Sequence, residues 1–336
     1  MDDSPPPGLA AEMSMQKIST PEVKSAQSMA PTPGVAAVDV WPHAVDVARR
    51  GPQIADGPAI DRPEFWDNAW QHLTEERKQL FTRGQPRGID QFWQRCYFED
   101  LWALGGQPTG QFQVLSMGAG RGTISMYLAA RGADVTMLDL SAAGFAVADR
   151  NFRTEGLAVP RMVLADARCT GLESASYDCV YSIGLLEHLS DPRPVLSESW
   201  RLLRPGGFAF HVVIPLFRAA RRLLGQALLC PWRVPRTLVE YARELWGEDR
   251  AEDQLRTPFG CREYRSMLAE LGIAPASCQA YNAYHPLYSH PQFDRWITVP
   301  VYRWHRRVKQ RWSGAPWMRT LPGLNSCVLV LMRKES

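Results

Sequence analysis

Residues 114–122 read Val-Leu-Ser-Met-Gly-Ala-Gly-Arg-Gly, a short apolar strand that runs into glycines at 118, 120 and 122. Glycine tolerates a left-handed backbone and lets a ligand lie against the main chain. The next stretch, Thr123 to Ala130, reads as a helix whose free N–H groups face the same spot. Ala133 to Asp139 then reads as a strand ending in a carboxylate. Asp139 follows Gly118 by 21 residues, close to the spacing at which an acidic group reaches a ribose diol. These residues predict the start of a nucleoside-binding βαβ unit.

Further strands must position that loop. Met162 to Ala167 reads as a third strand closing on Asp166-Ala167, and Tyr177 to Ser182 as a fourth, followed by Ile183-Gly-Leu-Leu-Glu187-His188. Leu202-Leu-Arg-Pro-Gly-Gly207 leads into a strand from Phe208 to Ile214. Strand and helix signals that alternate in this way predict an α/β fold with a doubly wound, mostly parallel sheet. A helix from Cys261 to Leu271, with Gly272 as its C′ residue, precedes a sixth strand at Ala276 to Tyr284. Cys327 to Met332 is the later run with the composition of a seventh. Upstream, Asp90 is placed to cap a helix carrying Phe92, Trp93, Tyr97, Phe98, Leu101 and Trp102.

Three segments organise the chain. Residues 1–60 are rich in Pro, Ala, Ser and Gly and are expected to be disordered, with order starting near Arg62. Residues 61–110 are expected to form an N-terminal helical cap. Residues 111–336 carry the main domain, with inserted cap segments at about 216–257 and 285–326. The second insertion spaces Trp296, Pro300, Trp304, Val308 and Trp312 by four and sets them among Arg303, Arg306, Arg307, Lys309 and Arg311.

Bulk properties narrow the function. The net charge of +3, from 38 basic and 35 acidic side chains, is too mild to imply nucleic acid by itself. Seven scattered cysteines without a C-x-x-C pair fit a reducing compartment and argue against a zinc ribbon or a disulfide scaffold. The first residues lack a basic and apolar leader pattern, and no run of 18 apolar residues reads as a spanning helix, so a cytoplasmic protein is expected.

The ordered series from the glycine loop to Pro205-Gly206-Gly207 resembles the class I S-adenosylmethionine-dependent methyltransferases, especially the branch of quinone-biosynthesis and other small-molecule methyltransferases. The dinucleotide fingerprint is G-x-G-x-x-G, whereas the third glycine here comes one residue earlier. The resemblance covers about residues 110–215 and implies a seven-stranded Rossmann-like sheet whose last two strands are antiparallel. It implies that Gly118, Ala119, Gly120 and Gly122 hold the methionine moiety, Asp139 the ribose with Leu140 beside the adenine, and Asp166 and Ala167 the adenine. It also implies that Ser182, Ile183 and Gly184 lie near the cofactor's amino-acid end. The family usually has Asp or Glu at the position of Ser116, where a hydroxyl brings no charge. In the same fold a helix before the first strand often covers part of the cofactor, a role open to the helix at 90–102 beside ordinary packing.

Candidate proton acceptors are His188, Glu187 and His285. Imidazole is the side chain whose ordinary titration lies nearest neutral pH. His188 and Glu187 serve equally well as organisers of the sheet edge, and His285, Tyr281, Tyr284, Tyr288 and His290 as packing aromatics. His285 and His290 lack a third ligand at metal spacing, so no metal is expected. The expected reaction is methyl transfer to O, N or C of a small acceptor. The alternatives are a catalytically degenerate scaffold suggested by Ser116, an NAD(P)-dependent oxidoreductase, and an RNA methyltransferase, which lacks a recognised RNA module here. The second insertion reads as a lid over an apolar or acidic acceptor, as a peripheral contact with anionic lipid through about 301–312, or as oligomer packing.

Overall fold

The computed structural model describes residues 45–46, 62–72, 80–106, 108, 111–215, 257, 259–283, 296–297, 299–310, 319 and 325–336. The expected disordered tail (apart from 45–46), most of the insertion at 216–257, and Tyr284, His285, Tyr288 and His290 lie outside the described residues.

The strands are β1 (Val45–Asp46), β2 (Gln113–Met117), β3 (Asp134–Asp139), β4 (Arg161–Leu164), β5 (Tyr177–Ile183), β6 (Leu203–Val213), β7 (Ala276–Ala283) and β8 (Asn325–Arg333). The helices are α1 (Pro63–Gln71), α2 (Ile89–Leu104), α3 (Thr123–Ala129), α4 (Ala142–Thr154), α5 (Arg193–Leu202), α6 (Cys261–Glu270) and α7 (Val299–Gln310). The sheet order is β1-β4-β3-β2-β5-β6-β8-β7. Strands β2 to β6 pair in parallel, and β8 runs antiparallel to both neighbours. The expected seven strands are present with an antiparallel end. A two-residue eighth, β1, pairs Val45 with Met162 at the far edge, within the stretch expected to be a tail.

Side chains alternate across the sheet as strand geometry requires. Val114, Cys179, Tyr181, Phe208 and Phe210 enter the core shared with α2, α3 and α4, while Leu115, Met117, Val180 and Ala209 enter the core shared with α5 and α6. Helix α2 is part of the first core, with Phe92, Trp93, Cys96, Tyr97, Phe98, Leu101 and Trp102 buried. It therefore packs against the main domain, the ordinary-packing alternative for this helix. Its N-cap is Gly88, and Asp90 sits one position inside the first turn, a correction to the expected cap. Gly272 ends α6 as expected: its φ is +65°, and the Gly272 and Ile273 N–H groups donate back to Ala269 and Leu268.

One buried pair ties β5 to β6. Ser182 Oγ lies 2.8 Å from His211 Nδ1, both side chains are fully buried, and Nε2 of His211 has no hydrogen-bond partner among the described residues. Burial holds the His211 imidazole down at about 3, below its ordinary 6.5. The native state thus keeps His211 neutral where the unfolded chain takes a proton. The stability this supplies is complete above about pH 6.5 and is lost as pH falls toward 3. By pH 4 the loss from this one group is on the order of 3 kcal/mol. Denaturant titrations at pH 7 and pH 4 are expected to show a smaller acid loss in His211→Asn than in the natural chain; parallel losses would refute the assignment.

Candidate active site

The strand order reverses between β2 and β5. Open α/β sheets form a ligand crevice at such a point, outside the carboxyl ends of the strands. Gly118, Gly120 and Gly122 have φ of 66°, 47° and 72°, in the region that favours glycine. A Cβ on Gly118 would stand 3.1 Å from the Leu185 side chain, so the loops after β2 and β5 meet across the reversal.

Asp139, at the end of β3, holds the glycine loop. Its Oδ2 accepts from Gly120 N–H at 2.7 Å and its Oδ1 from Ser141 N–H at 2.9 Å. Burial raises its carboxyl above the usual range, the amide donors pull it back, and the nearby Asp67 charge raises it further. An ionised carboxylate has about four acceptor sites, so these two donors and the Leu140 amide leave room for one more.

Helix α1 covers this edge, a placement the sequence reading offered to the helix at 90–102. Asp67 Oδ1 accepts from Ser141 Oγ at 2.5 Å and from Ala143 N–H at 3.0 Å, while Ser141 Oγ caps α4 by accepting from Gly144 N–H. A carboxylate at a helix N-terminus is favoured by the unpaired amides and the helix dipole. The Trp70 indole lies over the loop, where a Cβ on Gly120 would stand 2.4 Å from its Cζ2. Trp66 meets the His188 ring edge to face, with centroids 5.0 Å apart. Trp66, Asp67 and Trp70 were missed as site residues. Their signal was a helix start at Pro63 followed by tryptophans four apart, which share one helical face.

Gly120→Ala is expected to lower stability through two terms. Alanine in a left-handed conformation costs about 1–2 kcal/mol, and its methyl meets the indole. Trp70→Ala in the same chain should restore the second part only. Thermal melts of both single variants and the double test this; strictly additive losses would remove the contact.

The remaining expected residues divide. His188 lies against Trp66 of α1 and is half-buried, whereas Glu187 is 1% exposed. The Glu187 main-chain oxygen accepts from Thr257 N–H at 2.7 Å, and its charge helps push the buried Tyr264 hydroxyl up. The Asp166 carboxylate accepts from Arg168 N–H at 2.8 Å and pairs with the Arg168 guanidinium at 2.7 Å, so it closes its own turn. Ala167 is buried behind it, and Leu140 is half-buried beside Asp139. The Ser182 hydroxyl is engaged by His211 below the crevice, while Ile183 and Gly184 lie half-buried at its floor. Ser116 hydrogen-bonds Tyr181, whose hydroxyl also lies 2.8 Å from Ser125 Oγ. Three hydroxyls thus stand where the usual carboxylate would bring a charge.

The loop fits an adenosyl sulfonium once Trp70 moves off Gly120: its three glycines hold a backbone that a ligand can approach closely, Asp139 offers acceptor capacity beside it, and Thr123 Oγ1 is buried without a hydrogen-bond partner among the described residues. Among the described residues no group of three or more His, Cys, Asp or Glu is placed to hold a metal ion, and no helix is long and apolar enough to cross a membrane.

Residues 115–211 match the family model described as a methyltransferase domain. The chain is 36% identical over 170 residues to the ubiquinone biosynthesis O-methyltransferase of Paraburkholderia phymatum, covering 48% of this chain and 72% of that protein. It is 33% identical over 113 residues to the enzyme of the same name from Ralstonia nicotianae, covering 34% of this chain and 48% of that one. The phosphoethanolamine N-methyltransferase 2 of Haemonchus contortus, solved with S-adenosyl-L-methionine, shares the fold with a TM-score of 0.51 at 14% identity, over 82% of this chain and 59% of that one. The glycine loop, the carboxylate that holds it and this similarity have one reading: the chain belongs to the class I S-adenosylmethionine-dependent methyltransferases, in the branch that holds the quinone-biosynthesis enzymes.

Proposed function

We propose that the enzyme methylates a hydroxyl oxygen of a small, largely apolar acceptor, with His188 receiving the proton. The observation that carries this reading is the match to an O-methyltransferase across 72% of that protein's length. Bound S-adenosylmethionine supplies a methyl group on a sulfonium, and the chain's own task is to position and to move one proton. Gly118, Ala119, Gly120 and Gly122 hold the cofactor through backbone. Asp139 accepts from the ribose with the capacity left beyond Gly120 and Ser141, and Leu140 and Ala167 offer apolar contact to the base. Asp166 meets the base while paired with Arg168. Ser182, Ile183 and Gly184 form the floor.

A neutral imidazole at His188 has a lone pair for the acceptor's proton, and Trp66 fixes the ring from one side. Glu187 acts as a positioning residue, since its carboxylate faces inward below the turn. His285 is a second candidate acceptor of that proton; it follows the end of β7 by two residues. Trp70 and Trp66 on α1 shield the crevice from water, and Trp70 must yield the face of Gly120 to the cofactor. A cytoplasmic setting belongs to this reading and is supported by the buried thiols of Cys96, Cys179 and Cys278, which form no disulfide.

The test is S-adenosylhomocysteine release with a matched panel of phenols, catechols, amines and activated carbon acids. Transfer to phenolic oxygen is expected. Transfer confined to amines or carbon would overturn the oxygen assignment. No heat on calorimetric titration with S-adenosylmethionine would overturn the placement of the cofactor.

A further inference from the structure

Helix α7 has a bound side and an outward side. Val299 and Tyr302 are buried, and the Tyr302 ring lies 4.7 Å from Trp93 and 5.9 Å from Phe92 of α2. Arg303 donates to the Pro86 carbonyl at 2.9 Å, and Arg306 pairs with Glu99. These contacts fix the rotation of the helix against the domain.

The other side is apolar and open. Val301 is 52% exposed, Trp304 66% and Val308 39%, and Ile297 and Trp296 just before the helix are 46% and 72% exposed. Positions 301, 304 and 308 follow steps of three and four. At 100° per residue they fall within an arc of about 60° that points away from Tyr302 and Val299. Two indoles and three aliphatic side chains in water form a patch of the kind that marks an interaction surface.

Charge selects the partner. Between Asp294 and Glu335 the sequence holds no carboxylate, while α7 alone carries Arg303, Arg306, Arg307 and Lys309. Arg307 is exposed and lies next to the apolar arc. A convex apolar ridge rich in tryptophan and flanked by cations matches the surface of an anionic bilayer, where indoles sit at headgroup level and guanidinium groups meet phosphate. A protein partner would have to supply a complementary groove and a matching set of carboxylates. Strand β7 ends, and β8 begins, at the edge of the sheet that carries the glycine loop, because both β6 and β7 run antiparallel to β8. The segment holding α7 therefore leaves and rejoins the sheet on the side of the crevice.

We infer that the outward face of α7, with Ile297, Val301, Trp304, Val308 and Arg307, docks the enzyme peripherally on anionic membrane surfaces. The inference stands apart from the choice of acceptor.

Flotation of the full chain with phosphatidylcholine vesicles, with and without phosphatidylglycerol, tests it. The chain is expected to float with the mixed vesicles and to bind pure phosphatidylcholine at least about tenfold more weakly. The double substitution V301E and W304E should weaken binding to mixed vesicles by about tenfold or more, with the thermal melt and the calorimetric binding of S-adenosylhomocysteine unchanged. Arg307→Glu, which leaves the buried side of α7 intact, should weaken binding to mixed vesicles only and supplies an independent reading. Failure to float with mixed vesicles, equal binding to both vesicle types, or undiminished binding by the double and Arg307 variants would overturn the inference. A dimer in light scattering that the double variant splits, without vesicle binding, would assign the face to self-association and overturn it as well.

Discussion

His188→Ala is expected to lower kcat by about 10²–10⁴-fold, the range for loss of a positioned proton acceptor. The affinity for S-adenosylhomocysteine should change little, because the loop after β2 and Asp139 carry that binding. In the natural enzyme the rate should fall in acid, since a protonated imidazole has no lone pair for the acceptor's proton. The variant should lose that limb of the pH profile. Part of the effect will be structural, because the Trp66 ring rests on His188, and an aromatic pair of this kind is worth about 0.5–1.5 kcal/mol. His188→Gln keeps bulk under Trp66 and separates the two contributions: a rate that recovers with glutamine would make His188 a support for α1, not the proton acceptor. Unchanged turnover in both variants would overturn the assignment.

Asp139→Ala is expected to damage the fold and the cofactor site together. The Gly120 and Ser141 amides would each lose an acceptor inside the protein, at about 1–3 kcal/mol per unsatisfied group. The left-handed glycine loop would lose the contact that holds it against β3. Asp139→Asn separates the two effects. Burial raises this carboxyl above its usual range, so the charged form carries a desolvation cost in the folded state, and the sign follows: native stability from this group declines as pH rises from about 3.8 through its folded value. A neutral amide avoids that desolvation but offers one oxygen where two are used. The melt of Asp139→Asn should therefore stay within about 1–2 kcal/mol of the natural chain. Cofactor affinity should drop by about 10–100-fold as charged hydrogen bonds to the ribose are lost. Calorimetry beside a denaturant melt measures both. Unchanged cofactor affinity would remove Asp139 from the sugar.

The elements around the crevice were legible because their causes are local. The strand from Gln113 to Met117 fills both cores with alternate side chains, and the three glycines that follow each adopt positive φ. The spacing that put Asp139 near a nucleoside also placed its carboxylate on the glycine loop. The end of α6 at Gly272 was readable for the same reason: a single residue without a Cβ carries the cap.

The misplaced features depend on partners far along the chain. Asp67 caps a helix that begins 75 residues later, at Ala142. Ser182 meets His211 only because β5 and β6 lie side by side in that register. Asp166 shows a different limit, since its partner Arg168 is near in sequence, yet a carboxylate two residues before a guanidinium does not reveal which way either turns.

The sequence by itself determined the alternation of strands and helices, the glycine turn with its carboxylate, and the amphipathic Arg- and Trp-bearing helix. Each follows from hydrophobic periodicity or from backbone freedom at a few adjacent residues. Only the tertiary structure decided that α1 and not α2 covers the crevice, that Glu187 faces the interior while His188 is half-buried against Trp66, and that Trp304 of α7 points away from the protein. Those outcomes depend on which surfaces meet, and packing across tens of residues is fixed by the whole sheet at once.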